Sequence, residues 1–212
     1  IGLSRPELAA AFGALPIKRR RPLFGHLLET VAAHEETLEL LDGSPDLVAL
    51  LGDLVESSPY LTDEILRHPE DLQALQRDVF AAPATEDESD APAIGRLDAL
   101  PEAAPLRDPG VSYIDKSMLL RRIYRQRLLA ILVDSVHHGR PVFPTLARTS
   151  DLSEWAVRGA YKIAMEATLA DLGADSPPAS TLQVVALGRL GMREFDLGSD
   201  ADLVFVMSDG DA

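Results

Sequence analysis

The sequence predicts a mainly helical chain with a short α/β C-terminal portion, and three observations carry that prediction. Apolar residues recur every three or four positions through residues 22–80 and again through residues 116–169, the period of a helix with one buried face. Two short valine-rich runs, residues 182–187 and 203–207, have the length of buried strands. Between the helical regions, residues 83–110 turn to proline, alanine and acidic side chains, which bury too little to offset their ordering entropy.

In chain order, the first helical face carries Leu23, Leu27, Leu28 and Val31. The next carries Leu47, Leu50, Leu51, Leu54 and Val55, and the third Ile65, Leu66, Leu72 and Leu75. Breaks are expected at Asp42-Gly43-Ser44-Pro45 and Ser57-Ser58-Pro59, where Ser44 and Ser58 read as N-caps followed by proline at the first helical position. His68, ahead of Pro69, is expected to cap or pack locally. Residues 1–82 are thus read as a helical bundle and 83–112 as an acidic Pro/Ala-rich linker. Helical period resumes at Lys116, with Met118, Leu119, Ile123, Leu128, Leu129 and Leu132 on the apolar side. Arg121, Arg122, Arg125 and Arg127 give this helix a basic face, read as solvated or salt-bridged. His137 and His138 mark its C-terminus, with no carboxylate partner expected close by. Ser150-Asp151-Leu152-Ser153 reads as a capping signal for a further helix that ends near Gly173 and carries Trp155 and Tyr161 as core anchors. Residues 113–179 form a helical neck, and residues 180–212 hold the two strands.

Lys+Arg 20 against Asp+Glu 34 gives a net charge of −14. A surface that acidic repels phosphate backbones, so no nucleic acid is expected as partner, and the basic run Lys18-Arg19-Arg20-Arg21 reads as a solvated helix flank. Residues 83–110 contribute −5 of the total, so the acidity is not confined to the linker. No cysteine is present, which excludes disulfides and thiolate metal sites and fits a cytoplasmic location. The apolar runs fall short of the roughly 18 to 20 residues of a membrane span, so no membrane partner is expected. A chain that opens on Ile1 rather than methionine is expected to be a piece of a longer protein.

The stretch between the strands concentrates the chemistry. Asp200 and Asp202 are two residues apart at the entry to the second strand, a spacing that projects both carboxylates to one face. Paired hard oxygen anions suit Mg²⁺, which completes its shell with water and nucleotide phosphates. Gly188 and Gly191 follow the first strand, where a missing side chain lets backbone approach phosphate. A D-x-D pair alone is also the composition of many solvated turns.

The string VVALGRLGMREFDLGSDADLVFV resembles the signature of the glutamine synthetase adenylyltransferase family, within the DNA polymerase beta type nucleotidyltransferase superfamily. That family reads approximately G-K-L-G-G-x-E-L-x-x-x-S-D-x-D-L-x-F. Gly188, Leu190, Gly191, Glu194, Ser199, Asp200, Asp202, Leu203 and Phe205 fall on matching positions. Two further stretches resemble the same family: the helical segment with Ser-Pro-Tyr-Leu at 58–61 and Arg-His-Pro-Glu at 67–70, and the arginine-rich helix at 118–136. Arg189 stands where the family has lysine, and Met192 where it has a second glycine.

The resemblance implies that residues 180–212 begin a nucleotidyltransferase core in the C-terminal, adenylylating half of a two-headed enzyme. It implies Asp200 and Asp202 as catalytic Mg²⁺ ligands, and Gly188, Arg189, Gly191 and Ser199 as nucleotide contacts, with Glu194 orienting the loop. ATP would be the substrate and AMP the group moved to a tyrosine hydroxyl of glutamine synthetase; a sister domain would remove it by phosphorolysis. Glutamine synthetase and a nitrogen-regulatory signal protein are the implied partners. The family's third carboxylate lies on a later strand, beyond Ala212, so the 212 residues by themselves are expected to be inactive. The competing expectation is a non-catalytic module, truncated or degenerate, that binds glutamine synthetase or a nitrogen-signalling protein.

Overall fold

Residues 4–80, 97–173 and 182–207 are described by the computed structural model. The expected boundaries at 82/83 and 179/180, and residues 83–96 of the expected linker, lie outside them. The chain is mainly helical with one small sheet near its end, as the sequence predicts. The described residues divide into two compact units, 4–80 with Leu129–Arg140, and 97–128 with 141–207.

The first unit is a bundle of short helices: α1 (Pro6–Ala14), α2 (Arg21–Ala32), α3 (Glu35–Asp42), α4 (Pro45–Ser57), α5 (Pro59–Arg67) and α6 (Leu72–Phe80), with a 3₁₀ turn at Pro69–Asp71. Four of them open with proline in the first turn, where its missing N–H would have had no intrahelical partner anyway. Ser58 caps α5 as expected, accepting from the Leu61 N–H at 3.4 Å. Ser44 stands at the N-cap position of α4 ahead of Pro45, as expected, but its hydroxyl makes no capping bond and accepts instead from the Gln76 side-chain amide on α6. The periodic stretch at 22–42 is also interrupted, because His34 is extended (φ −120, ψ 103) and starts α3 anew.

The centre of this unit is α4. Leu47, Val48, Leu50, Leu51, Leu54 and Val55 are each at most 2% exposed, since the i, i+3, i+4, i+7 spacing puts them on one broad stripe. Leu27, Val31, Leu41, Ile65, Leu72 and Leu75 pack in the same core, as do Leu129, Ala130 and Val133. The basic run flanks the start of α2, with Arg20 at its N-cap position. It is a loop whose three successive backbone N–H groups donate to Glu56 Oε1 at 2.9, 3.0 and 3.3 Å. Those bonds, the Arg19 N–H foremost, hold the Glu56 carboxyl below its ordinary value.

In the second unit the N-terminal part of α7 (Tyr113–His137) runs alongside α8 (Val142–Leu172). Lys116 Nζ donates to Glu166 Oε2 at 2.6 Å, Leu120 lies against Gly159, and Tyr124 meets Ser153 at 3.3 Å. Rising numbers on one helix meet falling numbers on the other, so the pair is antiparallel. Met118 is 63% exposed, contrary to the apolar side expected for it, whereas Leu120 and Ile123 are buried. Arg127 pairs with Glu102, a salt-bridged reading of that position. The described part of the expected linker is not bare coil: Pro101–Arg107 form a 3₁₀ helix with Ala103 buried, and Asp98 accepts from Trp155 Nε1 at 3.0 Å.

The expected capping signal at residues 150–153 falls inside α8, whose first residue is Val142. Its hydroxyls bond back along the helix, Ser150 Oγ to the Leu146 carbonyl at 2.8 Å and Ser153 Oγ to that of Thr149 at 2.9 Å, the alternative a mid-helix serine has to capping. The helix ends as expected at Gly173, which is left-handed at φ 62. A carboxylate does stand near the paired histidines, contrary to expectation: Asp134, one turn before, is 2.8 Å from His138 Nδ1.

Strands β1 (Leu182–Ala186) and β2 (Leu203–Met207) pair antiparallel, from Leu182↔Met207 to Ala186↔Leu203. Buried strands were expected, but Val185, Val204, Phe205, Val206 and Met207 are 43–67% exposed. A two-stranded ribbon covers neither of its own faces.

Candidate functional site

The connection between β1 and β2 holds every residue singled out at the C-terminal end. It opens on Gly188–Gly191, a single helical turn. Gly188 has φ +55, a left-handed conformation that glycine adopts without strain. Gly191 is needed for a different reason: a Cβ there would stand 2.4 Å from the Ala186 carbonyl oxygen. The turn is thereby folded back onto the end of β1. Met192 adopts φ −86, open to any residue, so its replacement of glycine introduces no backbone strain. The positive φ falls one residue later, on Arg193 at φ 60.

What holds Arg193 in that conformation is α8. Its guanidinium pairs with Asp151 and lies 3.8 Å from Glu154, and the Asp151 hydrogen bond raises its proton affinity above the ordinary value. Two residues on, Phe195 is buried and gripped through its backbone. Its N–H donates to Ser150 Oγ at 3.1 Å and its carbonyl accepts from Thr149 Oγ1. Two buried hydroxyls of α8, 1% and 2% exposed at residue level, thus anchor the loop. Neither was legible as part of the site, since a Thr-Ser pair in a helix carries no positional signal.

Asp196 is the other residue that sequence reasoning missed. It accepts from Ser199 Oγ at 2.6 Å and from the Gly198 N–H at 3.2 Å, the local turn that an aspartate two and three residues ahead of Gly and Ser can make. It also pairs with Arg189, whose Nη1 lies 3.5 Å from Ser199 Oγ. The Ser199 hydroxyl, then the Arg189 charge, keep the Asp196 carboxyl below its ordinary value. Arg189 and Ser199 are therefore brought together, through a carboxylate between them. Glu194 orients the loop by its backbone, its N–H donating to the Arg189 carbonyl at 2.8 Å.

Asp202 meets Gly188. The Leu187 N–H donates to the Asp202 carbonyl at 2.8 Å, extending the ladder by one pair, and Asp202 Oδ2 lies 3.0 Å from the place a Gly188 Cβ would occupy. Asp202 immediately precedes β2 and Asp200 lies two residues further out, so neither stands on the strand whose alternation was expected to align them. Both aspartates are exposed, and among the described residues neither side chain has a hydrogen-bond or ion-pair partner. The two arginines of the same segment are already paired elsewhere. A pair of free carboxylates beside a glycine turn is a hard-oxygen donor set, which fits Mg²⁺ with its remaining positions left to water and phosphate. No third Asp, Glu or His joins them within ligand distance among the described residues; the three-residue cluster found there is His68, Glu70 and Asp71, where His68 ends α5 and lies 3.1 Å from Glu70 Oε1. No helix of the described residues is long and apolar enough to cross a membrane.

Comparison with known proteins gives one consistent answer. The pattern of the glutamate-ammonia ligase adenylyltransferase family matches residues 48–212. A bifunctional glutamine synthetase adenylyltransferase/adenylyl-removing enzyme of Mycobacterium avium is 34% identical over 166 residues, covering 76% of this chain and 15% of the relative. The enzyme of the same name from Streptomyces avermitilis is 32% identical over 189 residues, 85% of this chain and 16% of its own length. That from Bordetella bronchiseptica is 29% identical over 204 residues, 95% of this chain and 20% of its own length. The chain thus spans a fifth or less of the relatives it matches. No solved structure matches it. With its glycine turn, its two aspartates and the helical stretch at 58–70 inside the matched region, the chain belongs to the glutamate-ammonia ligase adenylyltransferase family.

Proposed function

We propose that this chain contributes the nucleotide-holding turn and two metal-ligating carboxylates to an enzyme that moves AMP from ATP to a tyrosine hydroxyl of glutamine synthetase, in control of nitrogen assimilation. The observation that carries this is the state of the aspartates. Asp200 and Asp202 are exposed and unpaired among the described residues, while Arg189 and Arg193 are committed to other carboxylates. Two unneutralised carboxylates two residues apart in the chain supply hard oxygen donors of the kind a divalent cation takes.

Asp200 and Asp202 would hold Mg²⁺, and when bound the ion would neutralise phosphate charge and align the attacking hydroxyl with the α-phosphate. Gly188 and Gly191 let the turn close onto the Asp202 carboxylate and the end of β1, the shape in which its backbone would hold the triphosphate. Arg189 supplies a guanidinium at the same turn, and Ser199 a hydroxyl beside it. Ser150 and Thr149 hold the loop to α8, which limits its reorganisation when substrate binds. The segment resembles the adenylylating half of the family, which favours addition over removal of AMP. Glutamine synthetase is the partner this reading requires; a nitrogen-regulatory signal protein and a cytoplasmic location accompany it.

The test is transfer of label from α-labelled ATP to glutamine synthetase by the protein expressed from its complete reading frame, with Mg²⁺ present. Label on a tyrosine of glutamine synthetase, lost in Asp200→Asn/Asp202→Asn, is the expected result. Binding of glutamine synthetase without labelling would favour the non-catalytic module.

A further inference from the structure

We propose that Asp196 is the resting counter-ion of Arg189, and that nucleotide phosphates bind by taking the Arg189 guanidinium away from it. This rests on the nucleotide-site reading above.

The two arginines of the loop differ in what holds them. Arg193 is tied to α8 by Asp151, with Glu154 close behind, and fixes the backbone. Arg189 is tied only within the loop, to Asp196, with side chains 58% and 38% exposed respectively. An ion pair that open to water is worth about 1 kcal/mol or less, so a ligand with several negative charges displaces it readily. Arginine also suits the exchange better than lysine: its planar fork offers five donors and grips phosphate through two at once.

Asp196 is built to lose that partner without losing its place. The Ser199 hydroxyl and the Gly198 N–H both donate to Oδ1, whereas Arg189 engages Oδ2. When the guanidinium leaves, Oδ1 stays bonded and the turn keeps its shape. The same anion that lowers the affinity for substrate therefore competes for Arg189 after transfer, and it promotes release of the pyrophosphate product.

Asp196→Asn removes the charge while retaining an oxygen that can accept from Ser199 and Gly198. In the protein expressed from its complete reading frame, titrations with MgATP and with magnesium pyrophosphate are expected to show both ligands binding about three- to fivefold tighter than in wild type. In an Arg189→Ala background the same substitution is expected to change neither affinity by more than about twofold, because there is no guanidinium to compete for. Weaker binding in Asp196→Asn, or an equal change with and without Arg189, overturns the proposal and leaves Asp196 a brace of the loop. If wild type binds no MgATP, the nucleotide-site reading itself fails and this proposal fails with it. That outcome is distinct, since it is seen before any variant is compared. Circular dichroism and thermal unfolding check that each variant is folded.

Discussion

Asp202 lies against Gly188: its Oδ2 is 3.0 Å from the position a Cβ would take on that glycine, and the two residues flank the same end of the ribbon. The glycine therefore serves both the left-handed turn, at φ +55, and the room in which the carboxylate stands. Gly188→Ala is expected to cost about 1–2 kcal/mol in backbone strain and to push Asp202 from its place. Nucleotide affinity should fall more than stability does, which parallel titration and denaturant unfolding will show. An alanine variant with unchanged affinity would mean that neither role matters to the site.

The loop is held to α8 by two buried hydroxyls, and this gives a second expectation. Ser150→Ala leaves the buried Phe195 N–H without its acceptor, at a cost of about 1–3 kcal/mol. Trp155, 2% exposed on the same helix, reports unfolding of that unit. Its transition should move to lower denaturant in Ser150→Ala. An unmoved midpoint would show that the anchor contributes nothing.

A third expectation concerns pH. Glu56 is held below its ordinary value of 4.5 by the N–H groups of Arg19, Lys18 and Arg20. A carboxylate depressed in the folded state stabilises above its ordinary value, and the benefit is lost as pH falls through the depressed one. Wild type should therefore be more stable than Glu56→Gln near neutral pH. The gap should close as pH falls below about 4.5. Circular dichroism of the helical signal against denaturant at two pH values measures it; a gap that persists in acid would contradict the clamp.

Much of the helical architecture was legible because periodicity is a local property. The stripe of α4 from Leu47 to Val55 reads directly from its spacing, as does the end of α8 at Gly173. What misled was hydroxyl chemistry. Ser44 and Ser150 look like caps, but one is taken by Gln76 across the bundle and the other bonds back within a helix that begins eight residues earlier. The strands were read as buried because valine-rich runs usually are, whereas a two-stranded ribbon leaves Phe205 62% exposed. In the site, Gly188, Gly191 and the aspartate pair were visible as a motif. Asp196 was not, because its importance comes from the arginine and serine that folding brings to it.

The most direct measurement is calorimetric titration of ATP, with and without Mg²⁺, into the protein expressed from its complete reading frame and into its Asp200→Asn and Asp202→Asn variants. If the two aspartates hold the metal that holds the nucleotide, wild type binds ATP in a Mg²⁺-dependent way, and each variant loses affinity on the order of 100-fold or more while remaining folded. Equal affinity in all three proteins, or binding indifferent to Mg²⁺, would contradict the assignment.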